Sequence, residues 1–410
     1  VQSSAIEVRP CTEDDWSTIV RIDELAFGYT YEGDPTLASE MAVFELARTQ
    51  LATLDGEAAG ITSAYTMRMS VPGGEVPFAG VTWVGVVPTL RRRGVLRSLM
   101  AAQLADVHAR GEPMAALFAS QPGIYGRFGY GSASKQVTLT VRRGEGELDA
   151  PVDAGLSARI VRAPDALEEM AEVHDAVRAG RPGVPVRDKL WWERCIEDQP
   201  SQRAGSSELR ALVVRDGAGA RAYALFAGKH GFSEGFADDS VEVRESLSAD
   251  AAASGRLWGT LLSMDLVGSV SVRRLPSDDA LLHQLRDLRR ARAQVRDGLY
   301  VRLVDLPAAL VARTYLGSWS GVVDVADVHC PWNAGRWRLV LGPAGSAVER
   351  TDARPDVALD VRELGGAYLG GASLVARAAA GFVTQLTPRA VAALSAAMRH
   401  EPAPFCPTAF

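Results

Sequence analysis

The residues of this chain best suited to chemistry lie in Val84-Gly85-Val86-Val87-Pro88-Thr89-Leu90-Arg91-Arg92-Arg93-Gly94-Val95-Leu96-Arg97. An apolar, strand-like run enters a short loop. The loop opens a helix whose Leu96, Leu99, Met100, Leu104 and Val107 fall on one face. A helix start leaves N–H groups unpaired and carries the positive end of the helix dipole, so this arrangement suits the phosphates of a nucleotide cofactor. Gly94 removes a Cβ where a phosphate would approach, and Arg92, Arg93 and Arg97 add charge-assisted donors. The same run also fits a solvated basic cluster at a helix start; its position straight after a strand favours the phosphate reading.

Two other stretches stand out. Ala116 to Gly131 reads as a strand followed by a glycine-rich turn, Ile124-Tyr125-Gly126-Arg127-Phe128-Gly129-Tyr130-Gly131. Residue type alone makes Tyr125 a turn tyrosine packed on the next strand. The chain ends in Glu401-Pro402-Ala403-Pro404-Phe405-Cys406-Pro407-Thr408-Ala409-Phe410, which cannot be a regular helix because proline removes donors and fixes φ. Such an end is often frayed, but an aromatic at the last position with another five residues earlier suggests docking.

The elements that must position these residues are legible in outline. Ser17 to Ala26 has helical spacing, Leu51 to Met67 reads as a strand pair around Asp55-Gly56, and Lys135 to Val141 alternates as a strand. The acidic, turn-rich run Gly144 to Gly155 marks a boundary. Beyond it come a helix over Leu167 to Val177, a strand over Val241 to Leu247 and a helix over Ala249 to Leu266. That strand–turn–helix order repeats the order of Val81 to Leu104, which suggests an internal duplication. Further on, Leu299 to Val304 reads as a strand, Leu306 to Leu316 as a helix, Arg336 to Leu341 as a strand and Pro388 to Met398 as a helix. The reading gives domains at residues 1–148, 149–298 and 299–410, in line with two or three domains expected for 410 residues.

Composition bounds the function. The chain is 47% hydrophobic and 23% charged, as folded globular proteins are. No apolar run approaches the ~20 residues of a membrane span, and no secretory leader is legible, so the cytoplasm is the expected compartment. Cys11, Cys195, Cys330 and Cys406 lie far apart, and neither cysteine nor histidine spacing suggests a metal site; no metal is expected. A formal net charge of −6 argues against nucleic acid as the main partner.

Arginine-any-any-glycine after a strand and before an amphipathic helix resembles the acetyl-CoA pyrophosphate loop of the GNAT N-acetyltransferase superfamily. With Ala116 to Gly131 added, the chain is similar over nearly its whole length to the Eis (enhanced intracellular survival) branch of that superfamily. The resemblance implies α/β and α+β architecture: tandem GNAT folds, each a mixed sheet flanked by helices, the second without a cofactor loop, followed by a sterol-carrier-protein-like α+β domain. It implies acetyl-CoA as donor and a polycationic amine as acceptor, aminoglycosides among them, with direct attack in a ternary complex and a homohexamer. It assigns Tyr125 as proton donor and the terminal carboxylate of Phe410 as proton acceptor. It places the cofactor at Val84, Gly85 and Val86 on a splayed or bulged strand, at Arg92, Arg93, Gly94, Val95, Leu96 and Arg97 in the loop, and at Ser120 and Gln121. Trp83 and Phe118 border the amine pocket. Phe118 stands where the family often has histidine, and Ala409 where its best-known members have an acidic residue. Asp23 and Glu24, beside Phe27, Tyr29 and Tyr31, are candidates for holding substrate ammonium groups, or else belong to a solvated helix face. Acceptors of other kinds, protein lysine or a polyamine, keep the same chemistry; a noncatalytic acyl-CoA or lipid-binding module is the reading of a different class.

Overall fold

The computed structural model describes residues 5–31, 36–233 and 236–410. The chain forms two compact units: Val1–Ser134 with Leu299–Glu401 and Ala409–Phe410, and Lys135–Gly298 with Pro402–Thr408.

In the first unit a seven-stranded sheet runs in the order Ile6–Pro10, Gln50–Leu54, Glu57–Val71, Gly74–Val86, Met114–Phe118, Leu299–Leu303, Gly131–Ser132. Its one parallel pair, Gly74–Val86 with Met114–Phe118, is joined by the crossover helix Val95–Ala109. That helix buries Val95, Leu99, Met100, Gln103, Leu104 and Val107. Leu96, expected on the buried face, is half-buried and lines a cavity instead. A five-stranded sheet follows in the same unit, in the order Ala347–Arg350, Gly335–Leu341, Trp319–Ala326, Val357–Asp360, Val383–Gln385, with the helices Leu306–Val311, Val361–Ala367, Leu374–Ala379 and Ala390–Met398.

The second unit has a sheet in the order Gln294–Asp297, Lys135–Arg142, Val267–Pro276, Asp239–Ser248, Ala220–Lys229, Arg210–Arg215, Ser157–Arg162. Its one parallel pair, Asp239–Ser248 with Val267–Pro276, is again bridged by a helix, Ala251–Leu262. The duplication anticipated from the sequence is therefore visible as the same strand–helix–parallel strand unit. Here the helix start is capped by a carboxylate: Asp250 accepts from the backbone N–H of Ala253 at 2.9 Å and is paired with Arg221. An anion would meet this carboxylate where the first unit offers arginines.

Several expected bounds move. The helix expected over 249–266 stops at Leu262, because Val267 begins a strand. The helix expected over 306–316 ends at Val311. The strand Lys135–Arg142 belongs to the second unit's sheet, not with the residues up to 148, and Leu299–Leu303 completes the first unit's sheet by pairing Leu299 with Phe118. Alternation identifies a strand but not the sheet it joins.

Among the described residues no helix is long and apolar enough to cross a membrane, and no group of three or more His, Cys, Asp or Glu is placed to hold a metal ion. The four cysteines are unbridged.

Candidate active site

The site begins where two parallel strands part. Gly74–Val86 pairs with Met114–Phe118 only from Phe78 to Gly80. On its other side the strand continues against Glu57–Val71 through a bulge: Gly85 opposes Ile61 and Thr82 opposes Ser63, so Trp83 and Val84 share Thr62. Trp83 carries the strain, with φ of 50°. Its indole is held by aromatic neighbours, stacked on Tyr31 at 6.1 Å and edge-on to Phe44 at 5.1 Å. From Val81 to Val86 the strand thus lies outside the ladder with Met114–Phe118 while it stays paired with Glu57–Val71, so only its edge facing Met114–Phe118 is open to a ligand.

The loop that follows turns twice through the left-handed region, at Arg92 (φ 64°) and Gly94 (φ 98°), before the helix Val95–Ala109. Glycine is required at 94: beyond the positive φ, a Cβ there would come within 3.2 Å of Ile6 Cδ1. The arginines divide their work. Arg92 and Arg97 line a cavity of about 1230 Å³. Arg91 lines it too, though the sequence did not single it out, and its guanidinium donates to the carbonyls of Ala26 at 3.1 Å and Val86 at 3.3 Å. Arg93 is not in the lining; it donates to Asp55 at 3.1 Å.

The same cavity is lined by residues 81–86 of the open strand, by 94–97, and by Phe118, Ser120, Gln121, Tyr125 and Phe410. Guanidinium groups beside a helix start, next to a strand with one open edge, fit a ligand that carries phosphates at one end and amides along an arm. Acetyl-CoA is such a molecule, so the residues present fit it.

Tyr125 closes the short helical turn Pro122–Tyr125 and is 9% exposed. Burial pushes its phenol up to about 12, and its ring meets Tyr130 edge-on at 5.9 Å. The glycines of this turn have a cause that the sequence concealed. A Cβ at Gly129 (φ 85°) would lie 2.7 Å from Nε of Arg302, and one at Gly131 would run into the backbone of Arg362 and Gly366. The strand Leu299–Leu303 and the helix Val361–Ala367 therefore press directly on the turn. Arg302 is fully buried and its Nη2 donates to both oxygens of Asp327, whose Oδ1 also accepts from the N–H groups of His329 and Cys330. This brings Val328 and His329 into the cavity wall, two residues that no sequence signal indicated.

The end of the chain is docked, as its aromatics suggested. Within the second unit, Ala403 donates to Asp278 at 2.7 Å, Phe405 is 2% exposed, and Thr408 accepts from Arg187 at 2.9 Å. Arg187 is itself bidentate to the buried Glu245. Within the first unit, the Phe410 ring lies 5.7 Å from that of Phe78 and 5.6 Å from that of Phe118, with Cδ2 only 3.2 Å from where a Cβ on Gly80 would stand.

Asp23 and Glu24 are placed otherwise than expected. Neither lines the cavity, although Ala26 and Phe27 of the same helix do. Asp23 is 3% exposed and accepts from the hydroxyls of Tyr29 and, at 3.0 Å, Tyr31; burial nonetheless holds its carboxyl above the usual range. Glu24 accepts from the N–H of Tyr31 at 2.7 Å and the hydroxyl of Thr30 at 3.0 Å, closing the loop after the helix. Trp83 and Phe118 do lie in the wall.

Comparison with known proteins assigns the family of each part of the chain. Residues 7–133 and 183–303 match two acetyltransferase (GNAT) domain families, and residues 306–407 match a sterol carrier protein domain family. An uncharacterised N-acetyltransferase of Streptomyces coelicolor is 40% identical over 415 residues, spanning 99% of this chain and 100% of the relative. The N-acetyltransferase Eis of Mycobacterium tuberculosis is 33% identical over 373 residues, 88% of each chain. The crystal structure of Eis1 from Mycobacterium abscessus superposes with a TM-score of 0.83 at 31% identity, covering 98% of this chain and 100% of that one.

Proposed function

Because the chain belongs to the Eis-like branch of the GNAT N-acetyltransferases, we propose that it acetylates a primary amine, with Tyr125 as proton donor and the Phe410 carboxylate as proton acceptor. Its architecture is that of tandem GNAT folds followed by a sterol-carrier-protein-like α+β domain. One observation carries the proposal: the open strand, Arg92, Arg97, Tyr125 and Phe410 all face a single cavity.

Acetyl-CoA supplies the acetyl group as an activated thioester. Arg92 and Arg97, with the helix N–H groups, hold phosphate, and the open edge of residues 81–86 receives an amide arm. The Tyr125 phenol, pushed up to about 12, keeps its proton through neutral pH and can release it to a departing thiolate. A chain-terminal carboxylate, ordinarily ionised above about pH 4, takes the proton that the amine gives up. Partial burial of the Phe410 ring against Phe78 and Phe118 favours its placement, by less than the roughly 1.5–3 kcal/mol of a fully buried ring.

The test is thiol release from acetyl-CoA in the presence of an amine, for the whole chain and for a chain lacking Phe410. Release that drops by about 100-fold or more in the shortened chain, with acetyl-CoA binding retained, agrees with a carboxylate base. Equal release from both chains removes Phe410 from the mechanism.

A further inference from the structure

Besides the arginine loop, the cavity wall carries a second basic locus. Arg92 and Arg97 follow the strand Gly74–Val86, whereas Arg127 follows its parallel partner Met114–Phe118, in the turn after Tyr125. The Arg127 side chain is exposed, and its Nε donates to the carbonyl of Ile124 at 3.0 Å, which fixes the guanidinium 5.6 Å from the centre of the Phe128 ring. His329 also lines the cavity, with its imidazole 5.1 Å from that same ring. Phe128 thus gathers a guanidinium and an imidazole, far apart in the chain, at one stretch of the wall.

The loop that carries His329 is held in this place from behind. Oδ1 of Asp327 accepts from the N–H groups of His329 at 3.2 Å and Cys330 at 2.9 Å, and the same carboxylate takes donors from Arg302 and, at 3.1 Å, from Asn333. Asp327 is buried, and its charge is spent on these donors. It therefore orders the loop while leaving Arg127 and His329 to the cavity. His329 belongs to residues 306–407, the stretch that matches a sterol carrier protein domain family, so that part of the chain contributes to the wall of the first GNAT fold's cavity.

Coenzyme A carries two separate phosphate groups at its nucleotide end, a pyrophosphate and a 3′-phosphomonoester. A phosphomonoester is close to doubly charged at neutral pH and offers three strong acceptor oxygens. A guanidinium meets two such oxygens with parallel N–H donors, and an imidazole N–H can meet the third. We propose that Arg127 and His329 receive the 3′-phosphate of the coenzyme while Arg92 and Arg97 take its pyrophosphate. The two residues then select the donor and take no part in the transfer of acetyl. The proposal rests on the reading of the cavity as an acetyl-CoA site.

Titration calorimetry with CoA and with 3′-dephospho-CoA, which lacks only that phosphate, tests it without turnover. The unaltered chain is expected to bind CoA at least about tenfold more tightly than 3′-dephospho-CoA. Arg127→Ala should weaken CoA by about tenfold or more and leave 3′-dephospho-CoA unchanged, so that the preference disappears. His329→Ala should reduce the preference by about threefold. Equal affinity of the unaltered chain for the two ligands overturns the proposal and leaves acetyl-CoA as the donor. Equal losses for both ligands in Arg127→Ala also overturn it, since they put Arg127 on a part of the coenzyme that the ligands share; an undiminished preference in His329→Ala overturns the part given to the imidazole. Failure of both ligands to bind the unaltered chain overturns the acetyl-CoA reading itself.

Discussion

The guanidinium of Arg302 donates to both carboxylate oxygens of Asp327, at 2.7 and 2.8 Å, and lies directly behind Gly129 of the Tyr125 turn. Both side chains are almost wholly inaccessible. Asp327→Ala would leave a buried cation without its partner, a change that costs about 3–5 kcal/mol. It also frees the loop that carries His329, so kcat is expected to fall with stability. Urea unfolding followed by tryptophan fluorescence checks the first; an unchanged midpoint would show that the pair does not support the turn.

Tyr125→Phe keeps the edge-on contact with Tyr130 and deletes only the proton donor. We expect kcat to fall by about 10²–10⁴-fold, with acetyl-CoA affinity unchanged by calorimetry. Since the phenol is pushed up to about 12, it remains protonated well above neutrality. A decline of wild-type kcat through about pH 9 that vanished in Tyr125→Phe would contradict this assignment.

The arginine loop gives a paired prediction. Arg97 lines the cavity, whereas Arg93 reaches Asp55. Removing a charge-assisted hydrogen bond is worth about 1.5–3 kcal/mol, so Arg97→Ala is expected to weaken acetyl-CoA binding by about tenfold or more. Arg93→Ala should weaken it far less. Equal losses by isothermal titration would mean that Arg93 also reaches the ligand.

Asp23→Asn tests a candidate acceptor residue that is buried against the Tyr29 and Tyr31 hydroxyls. The folded protein holds this carboxyl above its unfolded value, so the charged form opposes folding at neutral pH and the opposition is relieved as pH falls through the folded value. The amide can still accept from Tyr29 and Tyr31. The variant should therefore unfold no lower than wild type at pH 7, with a flatter acid-side dependence, and keep its kcat/KM. A drop in kcat/KM with KM raised for the amine would return Asp23 to the acceptor site.

Local chemistry made much of this protein legible. The strand–loop–helix at residues 84–97 declared itself because a helix start, a glycine at positive φ and clustered arginines are consecutive in the chain. The helix Trp16–Phe27 and the hairpin Gln50–Leu54 with Glu57–Val71 followed from periodicity, with bounds shifted by a few residues. The docking of the last residues could be anticipated from their aromatics.

The sequence by itself determined the phosphate-suited loop, the repeated strand–helix unit and a tail that could not be a helix, because each depends on residues adjacent in the chain. Only the tertiary structure decided that Arg302 sits behind Gly129, that Leu299–Leu303 joins the sheet holding Phe118, and that Asp23 is buried against Tyr29 and Tyr31. Those outcomes depend on contacts between residues far apart in the chain: an alternating strand does not name its partner, and a carboxylate does not reveal which hydroxyls will reach it first.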